Sequence, residues 1–171
     1  MILALDFDGV LHPVSSRTEP KFCRLDLLEE WLGGRPAVRV VISSSWREVH
    51  PLDELASFFP ESLRPRIIGA APVYEKLFGQ QGSRSPSEIA ATRYQRQVEI
   101  ERWLADNGAT EGQWAALDDD SNLFEPACKH LVLCDPKIGL TNAHLGQLDA
   151  MLRDERPDGQ VARAPMPGDK R

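Results

Sequence analysis

The chain has 171 residues and a mass of 19.1 kDa, with 42% hydrophobic and 27% charged residues, which suits one globular domain with a single core. Acidic residues outnumber basic ones by 26 to 20, and this net charge of −6 is opposite to that of a general polyanion-binding protein. No apolar run approaches the roughly 20 residues that span a bilayer, and the N-terminal sequence lacks the features of a signal peptide. The three cysteines form no CxxC pair, which disfavours a disulfide framework and a structural zinc site. We therefore expect a cytoplasmic protein without a membrane partner.

Five short apolar runs predict buried strands. In chain order they lie at 2–5, 38–42, 66–70, 114–117 and 131–134. Polar residues follow three of them at once: Asp6 to Gly9 after the first, serines at 43–45 after the second, and aspartates at 118–120 after the fourth. Short apolar runs that end in turn-forming residues are typical of strands in a buried parallel sheet.

Four stretches between and after these runs have helical periodicity. They lie at 22–32, 51–59, 96–108 and 141–154, and in the third Val98, Ile100 and Leu104 share one face before Gly108 ends the pattern. Strands that alternate with helices predict an α/β fold of three layers, a Rossmann-like parallel sheet with helices on both faces. In such a sheet, ligands bind beyond the carboxyl ends of the strands.

Two stretches lack a pattern of their own. Residues 79–92 are rich in glycine, serine and glutamine and predict a mobile loop. The chain after the last helical pattern has no periodicity and several prolines and glycines, which predicts a disordered tail at 154–171. The remainder, 1–153, is expected to form a single domain.

Two groups of aspartates follow predicted strands that are far apart in sequence. Asp6 and Asp8 follow the first strand, and Asp118, Asp119 and Asp120 follow the fourth. Any one of them could simply cap a turn or a helix. Five carboxylates at one edge of a sheet would repel one another unless a cation lay among them, and oxygen ligands suit Mg²⁺. The pattern therefore favours a magnesium site.

The spacing of Asp6 and Asp8 suits a second role. Side chains two residues apart on an extended chain point to the same side, so one carboxylate can attack phosphorus while the other transfers a proton. Gly9, which we place with the substrate-binding residues, lets the chain turn sharply after them.

These segments resemble motifs of the haloacid dehalogenase (HAD) superfamily. LALDFDGVLHP is similar to its motif I, VVISSSWRE to motif II and WAALDDDSNLF to motif IV. Together with an EIERWL helix and a late GLT, they resemble more narrowly the HAD domain of Swiss Army Knife RNA repair proteins. The resemblance covers roughly residues 1–153.

The resemblance implies roles for the aspartates. Asp6 resembles the nucleophile, which is also a metal ligand. Asp8 resembles the general acid and base, whose main-chain carbonyl also touches the metal. Asp118 and Asp119 resemble the pair that holds Mg²⁺, and Asp120 is either a third contributor or the cap of the following helix.

The resemblance also implies groups that hold the phosphoryl oxygens. Ser43 resembles the motif II hydroxyl, with Ser44 as the alternative. Superfamily members carry a lysine or arginine that neutralises the phosphoryl group; no lysine lies in the expected helix, so Arg96, or else Arg93, is the candidate. Arg47 either reaches a substrate phosphate or lies on the surface with its stem beside a tryptophan. His12 either contacts the leaving group or belongs to a polar turn.

The lengths between motifs bear on the substrate. Residues 14–36 have room for little more than one helix, and 48–92 for a modest insertion, so we expect a minimal cap or none. An open site suits a terminal phosphate on a large molecule. The sequence has neither a GxxxxGK nor a GxGxxG motif, so no nucleotide cofactor is expected.

We therefore interpret the chain as a Mg²⁺-dependent phosphoric monoester hydrolase whose phosphorylated substrates include RNA or DNA ends. The alternatives are a nucleic-acid end-binding module that works with partners, a small-metabolite phosphatase, and a catalytically idle scaffold for protein interactions. Without the clustered aspartates the acidic and basic residues nearly balance, so the overall charge does not exclude a phosphate-bearing macromolecule.

Overall fold

The strands form one parallel sheet at the centre of the protein. A computed structural model describes residues 1–15, 19–73, 93–109 and 114–154. The sheet has five strands in the order β3-β2-β1-β4-β5. Their bounds are β1 Ile2–Leu5, β2 Arg39–Ile42, β3 Ile67–Ala70, β4 Trp114–Asp118 and β5 Leu131–Leu133. All five predicted strands are present, and the α/β Rossmann-like fold is confirmed.

The helices also follow the prediction, with ends that differ by at most three residues. They are α1 Leu25–Gly33, α2 Leu52–Ser57, α3 Gln95–Asp106 and α4 Asn142–Asp154, with single 3₁₀ turns at Ser45–Glu48, Arg64–Arg66 and Ser121–Leu123. The first helix begins at Leu25 because the chain at Phe22 has a φ of 61°, which is incompatible with a right-handed helix. In the part of the chain that the structure describes, no helix is long and apolar enough to cross a membrane.

The two faces of the sheet are covered by different helices because strand side chains alternate in direction. Leu3 and Leu5 of β1 lie in a core cluster with residues of α1, α2 and α4. Ala4, between them, belongs to a second cluster with Ile100 and Leu104 of α3. The small side chains of Ala4 and Ala116 on this face let α3 pack close to the sheet.

The strand register brings the residues after β1 and β2 to one edge of the sheet. Leu5 of β1 pairs with Ile42 of β2 and with Leu117 of β4. The ladder continues one residue further, since Asp6 N donates to Leu117 O at 3.0 Å and Ser43 N donates to Leu5 O at 2.9 Å. The polar residues that end the three central strands therefore lie beside one another.

Two of the predicted features lie wholly or almost wholly outside the described residues. These are the loop at 79–92 and the tail, of which Asp154 alone is described, as the last residue of α4. Between β1 and β3 the described residues contain α1, α2 and two 3₁₀ turns, with no further strand besides β2.

Candidate active site

Three carboxylates meet at the carboxyl edge of the central strands. One oxygen each of Asp6, Asp118 and Asp119 can be chosen so that all lie within 4.8 Å of one another. Asp118 is the last residue of β4, and its Oδ1 accepts a hydrogen bond from Asp120 N at 3.0 Å. Burial, together with the charge of Asp6, raises the pKa of Asp118 to about 7 and also raises the pKa of Asp119. The cluster is a buried concentration of negative charge.

Gly9 lies directly against this cluster. Its φ is +69°, a conformation that side chains with a Cβ rarely adopt, and a Cβ placed there would lie 2.2 Å from Oδ2 of Asp119. The close approach of the two loops therefore requires glycine at this position.

Arg96 supplies a positive charge to the cluster from the first turn of α3. Its Nη1 lies 3.2 Å from Oδ2 of Asp118 and 3.5 Å from Oδ1 of Asp6. Burial acts to lower the pKa of Arg96, but Asp118, Asp6 and Glu99 outweigh it and raise the pKa above its ordinary value. The side chain is only 10% exposed, and the neighbouring carboxylates keep this arginine charged in the interior.

Arg93, the alternative cation, lies elsewhere. It is exposed, and its guanidinium carbon lies 5.9 Å from the centroid of the Tyr94 ring. Of the two arginines, Arg96 is the one that the structure brings to the aspartates.

Arg47 connects the loop after β2 to α3. Its Nε donates to Ala71 O at 2.9 Å, and its Nη1 donates to Ser44 O at 2.8 Å and to Ser43 O. Its Nη2 donates to a carboxylate oxygen of Glu99. The side chain is 3% exposed, which overturns the surface position that the sequence left open. Contact with a substrate phosphate stays a prediction.

Glu99 is a site residue that the sequence analysis missed. Its side chain is 1% exposed and lies between Arg47 and Arg96, with Oε2 3.9 Å from Nε of Arg96. Gln95 donates to its other oxygen at 3.2 Å. The spacing of Arg96 and Glu99, three residues apart on a helix, was the available signal.

The two consecutive serines make different contacts. Both are fully buried. Ser44 caps the 3₁₀ turn, and its hydroxyl accepts a hydrogen bond from Trp46 N at 3.5 Å. The hydroxyl of Ser43 has no hydrogen-bond partner within the described ranges. A buried hydroxyl without a partner is costly, and a phosphoryl oxygen would satisfy it.

Asp8 lies outside the acidic cluster. Its Oδ2 accepts a hydrogen bond from Nε1 of Trp46 at 2.7 Å, and its Oδ1 lies 3.0 Å from Nε2 of His12. The sequence left two alternatives for His12, contact with the leaving group or a place in a polar turn. In the structure His12 is buried, and its ring is directed at the Asp8 carboxylate.

Of its two predicted roles, a third contributor to the metal site or a cap of the following helix, Asp120 has that of the cap in the structure. Its Oδ1 accepts hydrogen bonds from Asn122 N at 2.9 Å and from Asn122 Nδ2 at 2.8 Å. It therefore caps the 3₁₀ turn at Ser121–Leu123.

Comparison with known proteins agrees with the motifs and with the fold. The family model described as the HAD domain in Swiss Army Knife RNA repair proteins matches residues 2–145. No curated protein and no solved structure matches the chain significantly. The family match spans all five strands and most of the described site, and it confirms the narrower of the two resemblances. The chain therefore belongs to the family of HAD domains found in Swiss Army Knife RNA repair proteins.

Proposed function

We propose that this domain is a Mg²⁺-dependent phosphatase that acts on phosphorylated nucleic-acid ends through an aspartyl-phosphate intermediate. The observation that carries the proposal is the environment of Asp6. This residue shares one cluster with Asp118 and Asp119 and contacts the buried guanidinium of Arg96. A carboxylate next to a fixed cation and a set of metal ligands is suited to attack a phosphoryl group.

The donor set fits magnesium. Asp6, Asp118 and Asp119 offer oxygen atoms close enough to share one ion, and Mg²⁺ takes a few carboxylates with water and substrate phosphate. With the main-chain carbonyl of Asp8, they would form the protein's ligands. Burial and, after it, the charge of Asp6 raise the pKa of Asp118, which means that its ionised form is costly there; a divalent cation would offset this cost. When bound, Mg²⁺ would neutralise charge on the transferring phosphoryl group.

In the first step Asp6 is the nucleophile. One of its carboxylate oxygens bonds to phosphorus as the bond from phosphorus to the leaving oxygen breaks. The carboxyl proton of Asp8 passes to that oxygen, and an alcohol departs. Arg96 neutralises negative charge on Asp6 and on the phosphoryl oxygens.

In the second step water attacks the aspartyl phosphate. One proton of the water goes to the Asp8 carboxylate, and the resulting hydroxyl bonds to phosphorus as the bond to Asp6 breaks. Inorganic phosphate leaves, and both aspartates return to their starting states.

Ser43 is the hydroxyl that we assign to a phosphoryl oxygen. Its support is the unpaired, fully buried Oγ at the end of β2, whereas the Ser44 hydroxyl already caps the adjacent turn. Arg93, exposed two residues before α3, would contact a phosphate further along a nucleic-acid strand. Arg47 supports the serine loop from inside the protein.

The substrate assignment rests on family membership and on charge. The family is named for RNA repair proteins, and the chain without the five clustered aspartates is nearly neutral in net charge. A large molecule with a terminal phosphate could approach such a surface without general repulsion.

The test is hydrolysis of 4-nitrophenyl phosphate and of 5′- or 3′-phosphorylated oligoribonucleotides, with Mg²⁺ or with EDTA. We expect phosphate release that EDTA abolishes and that Asp6→Asn lowers by about a thousandfold or more, as loss of a nucleophile does. Asp106→Asn is the matched control, because Asp106 pairs with Arg102 on the exposed side of α3.

Full activity of Asp6→Asn would overturn the mechanism. Salt-sensitive binding of phosphorylated RNA without hydrolysis would favour an end-binding module instead. Hydrolysis of small phosphate esters with no preference for oligonucleotides would favour a metabolite phosphatase.

A further inference from the structure

Asp8 is engaged by two side chains that the proposed mechanism does not use. The indole N–H of Trp46 donates to Oδ2 at 2.7 Å, and Nε2 of His12 lies 3.0 Å from Oδ1. Although both oxygens have partners, 43% of the Asp8 side chain is exposed. The carboxylate is therefore fixed in direction and still accessible from solvent.

The surroundings of His12 decide which of its nitrogens carries the proton. His12 is 7% exposed, and its Nδ1 has no partner among residues 1–15, 19–73, 93–109 and 114–154. A proton on Nδ1 would be a buried donor without an acceptor, and Nε2 would turn a lone pair toward the Asp8 carboxylate. The proton therefore belongs on Nε2, and His12 donates to Asp8 as Trp46 does.

Aromatic packing fixes the direction of the Trp46 N–H. The indole makes edge-to-face contacts with three phenylalanines at centroid distances of 5.6 to 5.7 Å: Phe7, Phe22 and Phe58. Nζ of Lys21 lies 4.6 Å from the ring centroid. The ring cannot rotate without breaking these contacts, so the N–H is preorganised toward Asp8.

We propose that Trp46 is the positioning residue for Asp8, holding its carboxylate where the leaving oxygen departs and away from the Asp6 cluster. This inference rests on the proposed phosphatase function. Asp8 is two residues from Asp6, and the guanidinium of Arg96, which contacts Asp6, would also attract an Asp8 carboxylate that was free to move. An Asp8 drawn into that cluster would lie out of the hydrogen-bond reach that proton transfer to the leaving group requires.

The two donors are compatible with acid catalysis by Asp8. Each carboxylate oxygen has two lone pairs, so Trp46 and His12 leave sites for the proton that passes to the leaving oxygen. The indole of Trp46 has one N–H and donates it to the Asp8 carboxylate, so it makes no hydrogen bond to Asp6, Asp118 or Asp119. Loss of Trp46 should therefore slow both steps that use Asp8, but only the first step, in which the leaving group takes a proton, depends on which ester is hydrolysed.

The dependence of the rate on the leaving group separates a positioning role from a merely structural one. Phenyl phosphate and 4-nitrophenyl phosphate have similar shapes, but phenolate is the more basic leaving group and depends more on a proton from Asp8. A loss of Asp8 orientation should therefore slow phenyl phosphate more, whereas general damage to the fold should slow both equally.

The experiment compares Trp46→Phe with Trp31→Phe on these two substrates. Trp31 is a matched control because its Nε1 also donates to an aspartate, Asp149, at 3.0 Å, in the contact between α1 and α4. We expect Trp46→Phe to lower kcat/KM for phenyl phosphate about tenfold more than kcat/KM for 4-nitrophenyl phosphate, because kcat/KM reports on the steps up to departure of the leaving group. Trp31→Phe should leave the ratio of the two kcat/KM values at that of the wild-type protein.

Asp8→Asn should show the same selective loss, and adding Trp46→Phe to it should cause no further change in the ratio. An unchanged ratio in Trp46→Phe, or a further change in the double variant, would overturn the proposal. If Trp46→Phe does not fold, Trp46→Leu undergoes the same comparison.

If the wild-type protein hydrolyses neither ester, crystal structures test the positioning role by itself, and the proposed function fails if phosphorylated oligoribonucleotides are not hydrolysed either. The Asp8 carboxylate should have a new orientation in Trp46→Phe and should keep its orientation in Trp31→Phe. The same Asp8 orientation in wild-type protein and Trp46→Phe would show that Trp46 does not position it.

Discussion

Arg47 and Glu99 form an ion pair in the protein interior, where 3% and 1% of their side chains are exposed. Arg47 also donates to the main chain of the loop after β2, and Glu99 belongs to α3, the helix that carries Arg96. Glu99 Oε2 is 3.9 Å from Nε of Arg96. The pair therefore links the serine loop to the cation of the candidate active site.

Replacing one member of this pair should destabilise the protein. We expect Glu99→Gln to lower the free energy of unfolding by about 3 kcal/mol, because it leaves Arg47 buried without its counterion. Denaturant unfolding measures the effect. Glu101→Gln is the control, since Glu101 lies on the exposed side of the same helix and accepts a hydrogen bond from Gln97 at 2.9 Å. Equal stability of the two variants would contradict the structural role of the pair.

The second prediction concerns the charge at Arg96. Arg96→Met should lower kcat about a hundredfold, because a buried cation that contacts both Asp6 and Asp118 is removed. Arg96→Lys should retain part of the activity, since it keeps the charge but loses the planar fork. Steady-state hydrolysis of 4-nitrophenyl phosphate measures both. Arg102→Met, on the exposed side of α3, should leave kcat unchanged. If Arg102→Met lowers kcat as much as Arg96→Met does, the effect comes from the net charge of the protein and not from contact of Arg96 with the aspartates.

The strand ends of the site could be predicted from the sequence for a simple physical reason. Apolar runs such as 2–5 and 114–117 have few alternatives to a buried strand, and parallel strands that end in aspartate bring those aspartates to one edge. The cluster of Asp6, Asp118 and Asp119 therefore follows from local pattern together with one rule of topology.

The partners of Asp8 and Arg96 could not be predicted in the same way. Glu99 lies in a helix with several charged residues, and whether such a residue faces solvent or the interior depends on what the helix packs against. The direction of Trp46 depends on the 3₁₀ turn after β2, which places Trp46 toward Asp8 and Arg47 toward Glu99. The spacing of Arg96 and Glu99 shows only that their side chains can meet, and no periodicity in the sequence gives the direction of Trp46 or Arg47.

The third prediction uses Gly9. Gly9→Ala should destabilise the protein by about 1–3 kcal/mol, since the positive φ is strained for alanine and its Cβ would displace the Asp119 carboxylate. Gly146→Ala should have the opposite sign, a stabilisation of about 0.5–1 kcal/mol, because this residue lies within α4 and a Cβ there meets nothing within 4 Å. Thermal unfolding of the two variants measures both effects. If Gly9→Ala leaves the free energy of unfolding unchanged, the loops that carry Gly9 and Asp119 can move apart at little cost.

The last prediction concerns magnesium in the absence of substrate. Mg²⁺ at 100 times its dissociation constant should stabilise the folded protein by about 2.7 kcal/mol, because the folded state brings Asp6 beside Asp118 and Asp119, from which it is distant in the unfolded chain. Thermal unfolding over a series of Mg²⁺ concentrations measures this shift, which EDTA should reverse. Asp118→Asn and Asp119→Asn should each weaken the response. Asp120→Asn should keep it, because the Asp120 side chain caps the 3₁₀ turn. A Mg²⁺ response that survives Asp118→Asn and disappears in Asp120→Asn would move the metal away from the proposed cluster.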